Sequence, residues 1–183
     1  MNEELEVLKI VTQRLNDADV SYMISGSMAA NYYAIPRMTR DIDIVIELKE
    51  LNVNKFVDLF RDDFYIDKDT VRREVRRRGI FNIIHNEYIV KIDFILHQDS
   101  NFQKSCFKRR KRINIDQNIM WMISAEDLIL AKLLWAQESL SELQLNDVTN
   151  LYQSAADLDK NYIEQWVDAL NLDQMYKDIS KNA

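Results

Sequence analysis

Residues 40–48, RDIDIVIEL, constrain the fold of this chain most, because they combine a β-strand pattern with two carboxylates. Side chains at i and i+2 of a strand leave the same face. Asp41 and Asp43 therefore share one face, roughly 6.5–7 Å apart at about 3.3 Å per residue. Ile42 and Ile44 leave the opposite face, toward the core. The pattern predicts a strand with one buried face and one charged face.

A third aspartate has a similar setting, since Asp93 lies within the apolar segment VKIDFIL. If this strand pairs with residues 40–48, Asp93 lies about 4.8 Å from the first pair of aspartates. Three carboxylates this close repel one another and raise one another's pKa, and a divalent cation relieves that repulsion. Mg²⁺ suits such oxygen ligands. Two ions about 3.5–4 Å apart would bind an attacking and a leaving oxygen.

Two interpretations of these aspartates remain open at this point. In the first, they face solvent or pair with Arg37, Arg40 or Lys91. In the second, they hold metal, and the upstream Gly26-Ser27 turn favours this interpretation. Such a turn at a helix N-terminus offers backbone N–H groups and a hydroxyl to a phosphate. A phosphate-binding turn and a carboxylate set on one sheet imply phosphoryl or nucleotidyl transfer.

The remaining sequence alternates helix and strand patterns up to about residue 116 and is helical from Ser124 onward. We predict an α/β (α+β) fold, in which a small mixed sheet is flanked by helices and followed by a C-terminal helical bundle. Residues 1–116 would form the core, and residues 117–183 a helical region packed on it. Predicted helices cover residues 3–16, 27–34, 52–64 and 67–78; predicted strands cover 20–25, 40–48, 80–85, 88–96 and 111–116.

Composition excludes several classes of protein. With two glycines and one proline in 183 residues, the chain is not loop-rich. The single Cys106 excludes an intramolecular disulfide, and no signal-peptide pattern is present, so we expect a cytoplasmic protein. No apolar run approaches the roughly 20 residues that span a bilayer. We therefore expect no membrane association.

Basic residues are concentrated in two short segments, although the net charge of the chain is −6. One segment runs between Arg72 and Arg78, the other between Lys108 and Arg112. They are either solvated faces or a docking patch for a polyanion such as RNA.

These motifs carry a resemblance to a known superfamily. Gly26-Ser27, then RDIDIVI at 40–46, then Asp93 resemble the pattern of DNA polymerase β-type nucleotidyltransferases. The segment RMTRDIDI at 37–44 is similar to the abortive-infection type nucleotidyltransferase toxins and their bacterial relatives. In the tail, SAEDLILAKLLWAQ and QLNDV resemble the helical motifs of that branch, a Lys and then an Asp.

The resemblance implies a role for each matching residue. Gly26 and Ser27 would hold the phosphates of a nucleotide, while Asp41 and Asp43 would bind Mg²⁺. Asp93 would help hold the metal and accept the proton of the attacking hydroxyl. Lys132 would bind the triphosphate, and Asp147 would match the acid of the toxin branch's tail motif. Arg37 and Arg40 would each contact a phosphate or pair with an aspartate. Alternatively, Lys132 is a snorkelling lysine and Asp147 a surface aspartate.

The implied activity is transfer of a nucleoside monophosphate from an NTP to a hydroxyl, with two Mg²⁺ ions and release of pyrophosphate. The acceptor would be RNA, such as a tRNA end, a protein side chain or a small molecule, and a cognate antitoxin protein is a possible partner. One alternative is a catalytically silent module that binds nucleotide or a partner. Another is a metal-dependent phosphohydrolase, but such enzymes usually add histidine ligands. His85 and His97 lack the spacing of a metal pair, so we expect them to be structural.

Overall fold

One mixed sheet of seven strands organises the protein. The structure is a computed structural model that describes residues 3–139 and 141–182. The strands lie in the order β3-β4-β5-β2-β1-β7-β6, with parallel pairing of β2 with β5 and of β1 with β7, and antiparallel pairing elsewhere. Their bounds are β1 Tyr22–Ile24, β2 Asp41–Ile46, β3 Phe64–Tyr65, β4 Ile80–His85, β5 Lys91–Leu96, β6 Lys111–Ile115 and β7 Asn118–Met122.

Helices surround this sheet and continue alone at the C-terminal end. They are α1 Glu3–Asp17, α2 Gly26–Tyr33, α3 Val53–Asp58, α4 Lys68–Arg77, α5 Asn101–Arg109, α6 Ala125–Ser139, α7 Glu142–Ser154, α8 Lys160–Ala169 and α9 Asp173–Asn182, with a 3₁₀ turn at Glu50–Asn52. This architecture confirms the predicted mixed α/β fold with a helical C-terminal part. None of the helices within the described residues is long and apolar enough to cross a membrane.

Local sequence signals account for several helix boundaries. Asp67, Ser100 and Asp159 precede α4, α5 and α8, and the side chain of each accepts a hydrogen bond from the backbone N–H three residues later. These contacts satisfy donors that would otherwise lack a partner at the first turn. At its other end, α4 stops at Arg78, whose left-handed backbone (φ 52°) leads into Gly79.

The structure differs from the prediction at one helix boundary and contains two elements that were not predicted. The helix predicted over 52–64 ends at Asp58, and Phe64–Tyr65 forms the edge strand β3. Helix α5 was not predicted, nor was β7. The β6–β7 hairpin turns at Asp116 and Gln117, which both have positive φ, 48° and 69°. Such a turn usually carries Asn-Gly or Asp-Gly, so Asp-Gln gives a weaker signal.

The sheet therefore continues past the predicted boundary at residue 116, since β7 pairs with both β1 and β6. Any division of the chain into a core and a helical region would fall after Met122. The division itself stays a prediction.

The interior is one continuous hydrophobic cluster. Helix α1 contributes a stripe at helical spacing, and α3 inserts Phe56 among Phe60, Phe81 and Phe94 with ring centroids 5.2–5.7 Å apart. Helix α6 is buried at nine of its fifteen residues, because it packs against α2, α7 and α8. This burial positions polar residues of α6 close to the start of α2.

Candidate functional site

The three aspartates meet on adjacent strands. In the parallel pairing of β2 with β5, Asp43 lies directly opposite Asp93, and Asp41 lies opposite Lys91. Ile42 and Ile44 on the other face are fully buried. The pairing confirms the expected neighbourhood of Asp93 and the expected separation of a charged face from a core face.

Gly26 brings the first turn of α2 against Asp43. Its φ is +59°, and an added Cβ would lie 1.8 Å from the Asp43 Oδ2 atom. The backbone N–H of Ser25 donates to the Asp43 carbonyl oxygen at 2.9 Å, which fixes the turn to β2. A left-handed backbone and the absence of a side chain are both required here, and only glycine meets both requirements without strain.

Lys91 lies within the carboxylate set. Its Nζ is 2.9 Å from Asp93 Oδ2 and 3.5 Å from Asp41 Oδ1, and the hydrogen bond with Asp93 raises the pKa of Lys91. Burial and the neighbouring Asp93 carboxylate raise the pKa of Asp43. Of the cationic partners that the sequence offered for these aspartates, Lys91 forms the ion pairs, with Asp41 and Asp93.

A second charged cluster joins three elements next to the Gly-Ser turn. Arg37 donates to Asp147 Oδ1 from Nε at 2.8 Å and to Asp147 Oδ2 from Nη2 at 2.9 Å. Lys132 Nζ donates to the same Asp147 Oδ2 at 2.8 Å and to Gln144 Oε1 at 2.9 Å. Burial opposes ionisation of Asp147, but the hydrogen bonds from Arg37 and Lys132 outweigh it and lower its pKa.

This cluster also reaches Ser27, whose hydroxyl oxygen accepts from Arg37 Nη2 at 2.6 Å. Arg37 is held in place by Asn31, whose side chain accepts from the Arg37 N–H at 2.9 Å and donates to its carbonyl at 2.8 Å. Neither Lys132 nor Asp147 is a surface residue, because both side chains are 5% exposed. The snorkelling lysine and the surface aspartate considered above are therefore both wrong.

Arg40 lies apart from these clusters. It is exposed and lines a cleft of about 630 Å³ between the start of α1, one side of α2 and residues 36–40. Met28, Tyr32 and Met38 supply apolar surface to this cleft, and Arg37 lies at its border. Among the described residues, Arg40 forms no ion pair or hydrogen bond with an aspartate.

The carboxylates fit Mg²⁺ by chemistry, although their side chains are not yet arranged for it. Among residues 3–139 and 141–182, no group of three or more His, Cys, Asp or Glu side chains is placed to hold a metal ion. Asp43 and Asp93 are nevertheless in direct register, and the Asp43 carboxylate occupies the space that a side chain at Gly26 would fill. Rotation of Asp93 away from Lys91 would give two hard oxygen donors on neighbouring strands, as Mg²⁺ prefers.

The histidines and the cysteine take structural positions. His85 is buried, and its Nδ1 accepts from the backbone N–H groups of Glu87 and Tyr88 at 3.3 and 3.2 Å. His97 packs on Phe107. Burial raises the pKa of the Cys106 thiol well above its usual range, which keeps it protonated and unreactive.

The basic segment between Arg72 and Arg78 is largely occupied by contacts within the protein, and the segment between Lys108 and Arg112 is occupied in part. In the first, Arg73 and Arg77 pair with Glu74, and Arg76 pairs with Glu50. In the second, Arg109 pairs with the buried Asp127 and lies over the ring of Tyr162.

From the sequence, Lys91 was only one of several candidate partners of the aspartates, and neither Asn31 nor Gln144 stood out. The position of Lys91 two residues before Asp93 was a usable signal, because i and i+2 share a strand face. Asn31 and Gln144 gave no such signal, since their partners lie on other elements.

Comparison with solved structures identifies the fold, while no protein-family model and no curated protein sequence matches the chain. An antigenic nucleotidyltransferase-like protein from Paracoccidioides brasiliensis superposes with a TM-score of 0.59 at 17% identity, covering 98% of this chain and 92% of that chain. The antibiotic-resistance factor ANT(2″)-Ia gives 0.60 at 13% identity over 98% and 96%. The lincomycin-bound lincosamide antibiotic adenylyltransferase LnuA gives 0.55 at 16% identity over 83% and 96%. The chain thus has the fold of nucleotidyltransferases.

Proposed function

We propose that this protein is a Mg²⁺-dependent nucleotidyltransferase that moves a nucleoside monophosphate from an NTP to a hydroxyl group. The observation that carries the proposal is the register of Asp43 with Asp93 beside the first turn of α2. It places carboxylates and a helix N-terminus within one small region, as transfer of a phosphoryl-type group requires. The two metal-binding aspartates expected from the sequence, Asp41 and Asp43, and the third, Asp93, keep those roles in the proposal.

The reaction assigns a task to each carboxylate. The acceptor oxygen attacks the α-phosphorus, the bond from that phosphorus to the β-phosphate oxygen breaks, and pyrophosphate leaves. Asp93 accepts the proton of the attacking hydroxyl, while Asp41 and Asp43 would hold the Mg²⁺ ion. Mg²⁺, when bound, neutralises charge on the phosphate oxygens. Because burial raises the pKa of Asp43, a bound cation would favour the ionised form of that carboxylate.

The phosphates would lie over the N-terminus of α2. Gly26 and Ser27 supply N–H groups of the first turn, and the Ser27 hydroxyl is already oriented by Arg37. Arg37 and Lys132 carry two positive charges against the single carboxylate of Asp147. This excess of positive charge suits a triphosphate, and Asp147 acts by holding both cations in place.

The acceptor that we favour is a small hydroxyl compound. A cleft of about 630 Å³ begins next to Arg37 and Arg40, within the roughly 300–1,000 Å³ typical of small-molecule sites. LnuA, with the same fold, is by its name an adenylyltransferase of a lincosamide antibiotic. An RNA acceptor, and with it a toxin role and a cognate antitoxin, would need the basic segments, the first of which is largely and the second partly engaged within the protein. A cytoplasmic location remains part of the proposal.

Incubation with each α-labelled NTP, Mg²⁺ and either a metabolite extract or total RNA tests the proposal. We expect label in one acceptor fraction, with release of pyrophosphate, and no label with the Asp43→Asn variant. NTP binding without transfer of label in any fraction would favour the silent binding module. Hydrolysis of NTP without an acceptor would favour the phosphohydrolase.

A further inference from the structure

We propose that Lys91 is a built-in counter-cation of the carboxylate set, which a divalent metal must displace from Asp41 and Asp93 in order to bind. The proposal rests on the metal role of these aspartates in the proposed function. It adds a residue that sets metal affinity without itself being a ligand.

The strand register places the Lys91 ammonium next to the carboxylates that a metal ion would bind. Lys91 precedes Asp93 by two residues on β5, so both side chains leave the same face. Lys91 also lies directly across from Asp41 on β2. Its Nζ is thereby within 2.9 Å of Asp93 Oδ2 and 3.5 Å of Asp41 Oδ1, one contact to each strand.

An ammonium and a divalent ion that contacted the same oxygens would repel each other electrostatically. Coulomb repulsion between two cations a few ångströms apart is substantial even at the dielectric of a protein surface. Asp93 Oδ2 is already engaged by Lys91, so metal binding there requires the ammonium to leave. The ion pairs with Lys91 therefore reduce the net free energy that the carboxylates gain on binding a metal ion.

The side chain of Lys91 is able to leave. It is 39% exposed, and a lysine has a flexible four-carbon stem that carries its charge into water easily. A fully buried lysine would lack this freedom. The exposure distinguishes Lys91 from Lys132, whose side chain is 5% exposed and fixed between two helices.

Metal binding to three full-length variants tests the proposal. Lys91→Met removes the charge at similar length, Lys91→Arg keeps it, and Lys104→Met removes a surface lysine paired with Asp99 at 2.6 Å, away from the aspartates. Affinity for Mn²⁺ is measured from the loss of the free-ion EPR signal, and Mg²⁺ affinity by competition. We expect Lys91→Met to bind Mn²⁺ about three- to tenfold more tightly, the range that two partly exposed ion pairs supply. Lys91→Arg and Lys104→Met should bind like the wild type.

Unchanged or weaker Mn²⁺ binding by a folded Lys91→Met variant would overturn the proposal and leave Lys91 a structural ion-pair residue. If neither the wild type nor Lys91→Met binds Mn²⁺ with or without a non-hydrolysable NTP analogue, the metal assignment fails with it. Should Lys91→Met not fold, the wild type provides the same test through ¹⁵N NMR of its lysine ammonium groups. Mg²⁺ should then shift the Lys91 resonance toward that of a solvated lysine, and an unshifted resonance at saturating Mg²⁺ would contradict displacement.

Discussion

Asp43 is the aspartate whose ionisation the fold opposes. It is partly buried, lies opposite Asp93, and has a pKa raised by burial and by that neighbour. A carboxyl whose folded pKa lies above its unfolded value binds its proton more readily in the folded state. Ionisation of Asp43 therefore destabilises the folded protein at pH values above the ordinary aspartate range, about 3.9. This cost would be removed at low pH, where both states are protonated.

We therefore expect Asp43→Asn to raise the melting temperature at pH 7, while abolishing nucleotidyl transfer. The gain should shrink as the pH falls through the raised pKa of Asp43, because the wild type then becomes neutral too. Thermal melts of both proteins between pH 4 and 8 measure the difference. An equal difference at all pH values would show that the gain does not come from charge. Mg²⁺ with NTP should stabilise the wild type more than the variant.

Gly26 allows a second test at the same scale. Gly26→Ala places a methyl group against Asp43 Oδ2 and keeps a positive φ that alanine adopts only with strain. A strained backbone of this kind costs about 1–3 kcal/mol, and displacement of Asp43 should also weaken binding of Mg²⁺–NTP. Gly79→Ala is the matched control, since its new Cβ meets the side chain of Glu74, away from the aspartates. Chemical denaturation and titration with NTP would show a loss of affinity only for Gly26→Ala.

Individual site residues differed in how far the sequence could predict them. The aspartates of β2 and the upstream Gly-Ser pair lie within one strand and one turn, so strand periodicity and turn chemistry located them. Arg37 and Asp147 are 110 positions apart and meet through the packing of α7 on α2. No local pattern records such a contact. The sequence accordingly suggested Arg37 for an aspartate or a phosphate, but not for Asp147.

At the scale of elements, one carboxylate joins α2, α6 and α7. Asp147 of α7 accepts hydrogen bonds from Lys132 of α6 and from Arg37, which follows α2. Lys132 and Asp147 are both buried, so each depends on the other for compensation of its charge. The lowered pKa of Asp147 means that its stabilising contribution is complete above the ordinary aspartate pKa and is lost as the pH falls through the folded value.

Asp147→Ala should therefore destabilise the protein by about 3–5 kcal/mol, because it leaves the Lys132 ammonium buried without its carboxylate partner. The double variant Asp147→Ala with Lys132→Met should recover much of that loss, since neither charge then remains. Urea denaturation at pH 7 of the wild type, Asp147→Ala, Lys132→Met and the double variant measures these differences. If the double variant were as unstable as the sum of the two single variants, the pair would not be coupled.

The two basic segments, in α4 and at the connection from α5 to β6, can be tested for RNA binding with alanine variants. Arg109 and Arg110 pack on Tyr162 and on Phe107 and Trp121, so their removal would disturb the fold. Lys108, Lys111 and Arg112 form the cleaner triple alanine variant, to be compared with Arg76, Arg77 and Arg78. If RNA is the acceptor, either variant should raise KM for RNA and flatten its salt dependence, with a log–log slope less steep by about 0.7 for each phosphate contact that is lost. Unchanged KM in both variants would exclude RNA docking at these segments.

The helices and strands that could be predicted from the sequence are those with strong local signals. Helices α1 and α4 have clear apolar spacing or a capping aspartate, and both were predicted. Helix α5, NFQKSCFKR, was missed because its buried residues Phe102, Cys106 and Phe107 form a narrow stripe among polar neighbours. Strand β7 has apolar residues on both faces, a pattern that does not separate a strand from a buried helix.

At the scale of the whole molecule, one core joins the sheet to the C-terminal helices. The continuous hydrophobic cluster includes Ile24 and Ile44 of the sheet together with Leu133 of α6, Val148 of α7 and Val167 of α8. The candidate site follows the same organisation, because its aspartates belong to strands and its Lys132 and Asp147 to the C-terminal helices. A division of the chain after Met122 would therefore cut through both the core and the site.

We expect full-length protein to unfold in a single cooperative transition, with a calorimetric enthalpy equal to the van't Hoff enthalpy, as for one folding unit. A fragment that ends at residue 123 should lack a cooperative transition, because it loses the buried face of α6 and leaves α2 without its partner helices. A shorter truncation that ends at residue 171 removes the buried Leu172 and α9, which packs on α7 and α8, and should remain folded at lower stability. Near-ultraviolet circular dichroism and calorimetry of the three chains decide the matter. Two separate transitions in the full-length protein, or a cooperatively folded fragment, would show that the sheet region up to residue 123 and the helical region are independent units after all. In that event Arg37 would have to hold its position over Ser27 without Asp147, and the cluster beside the Gly-Ser turn would lose its structural basis.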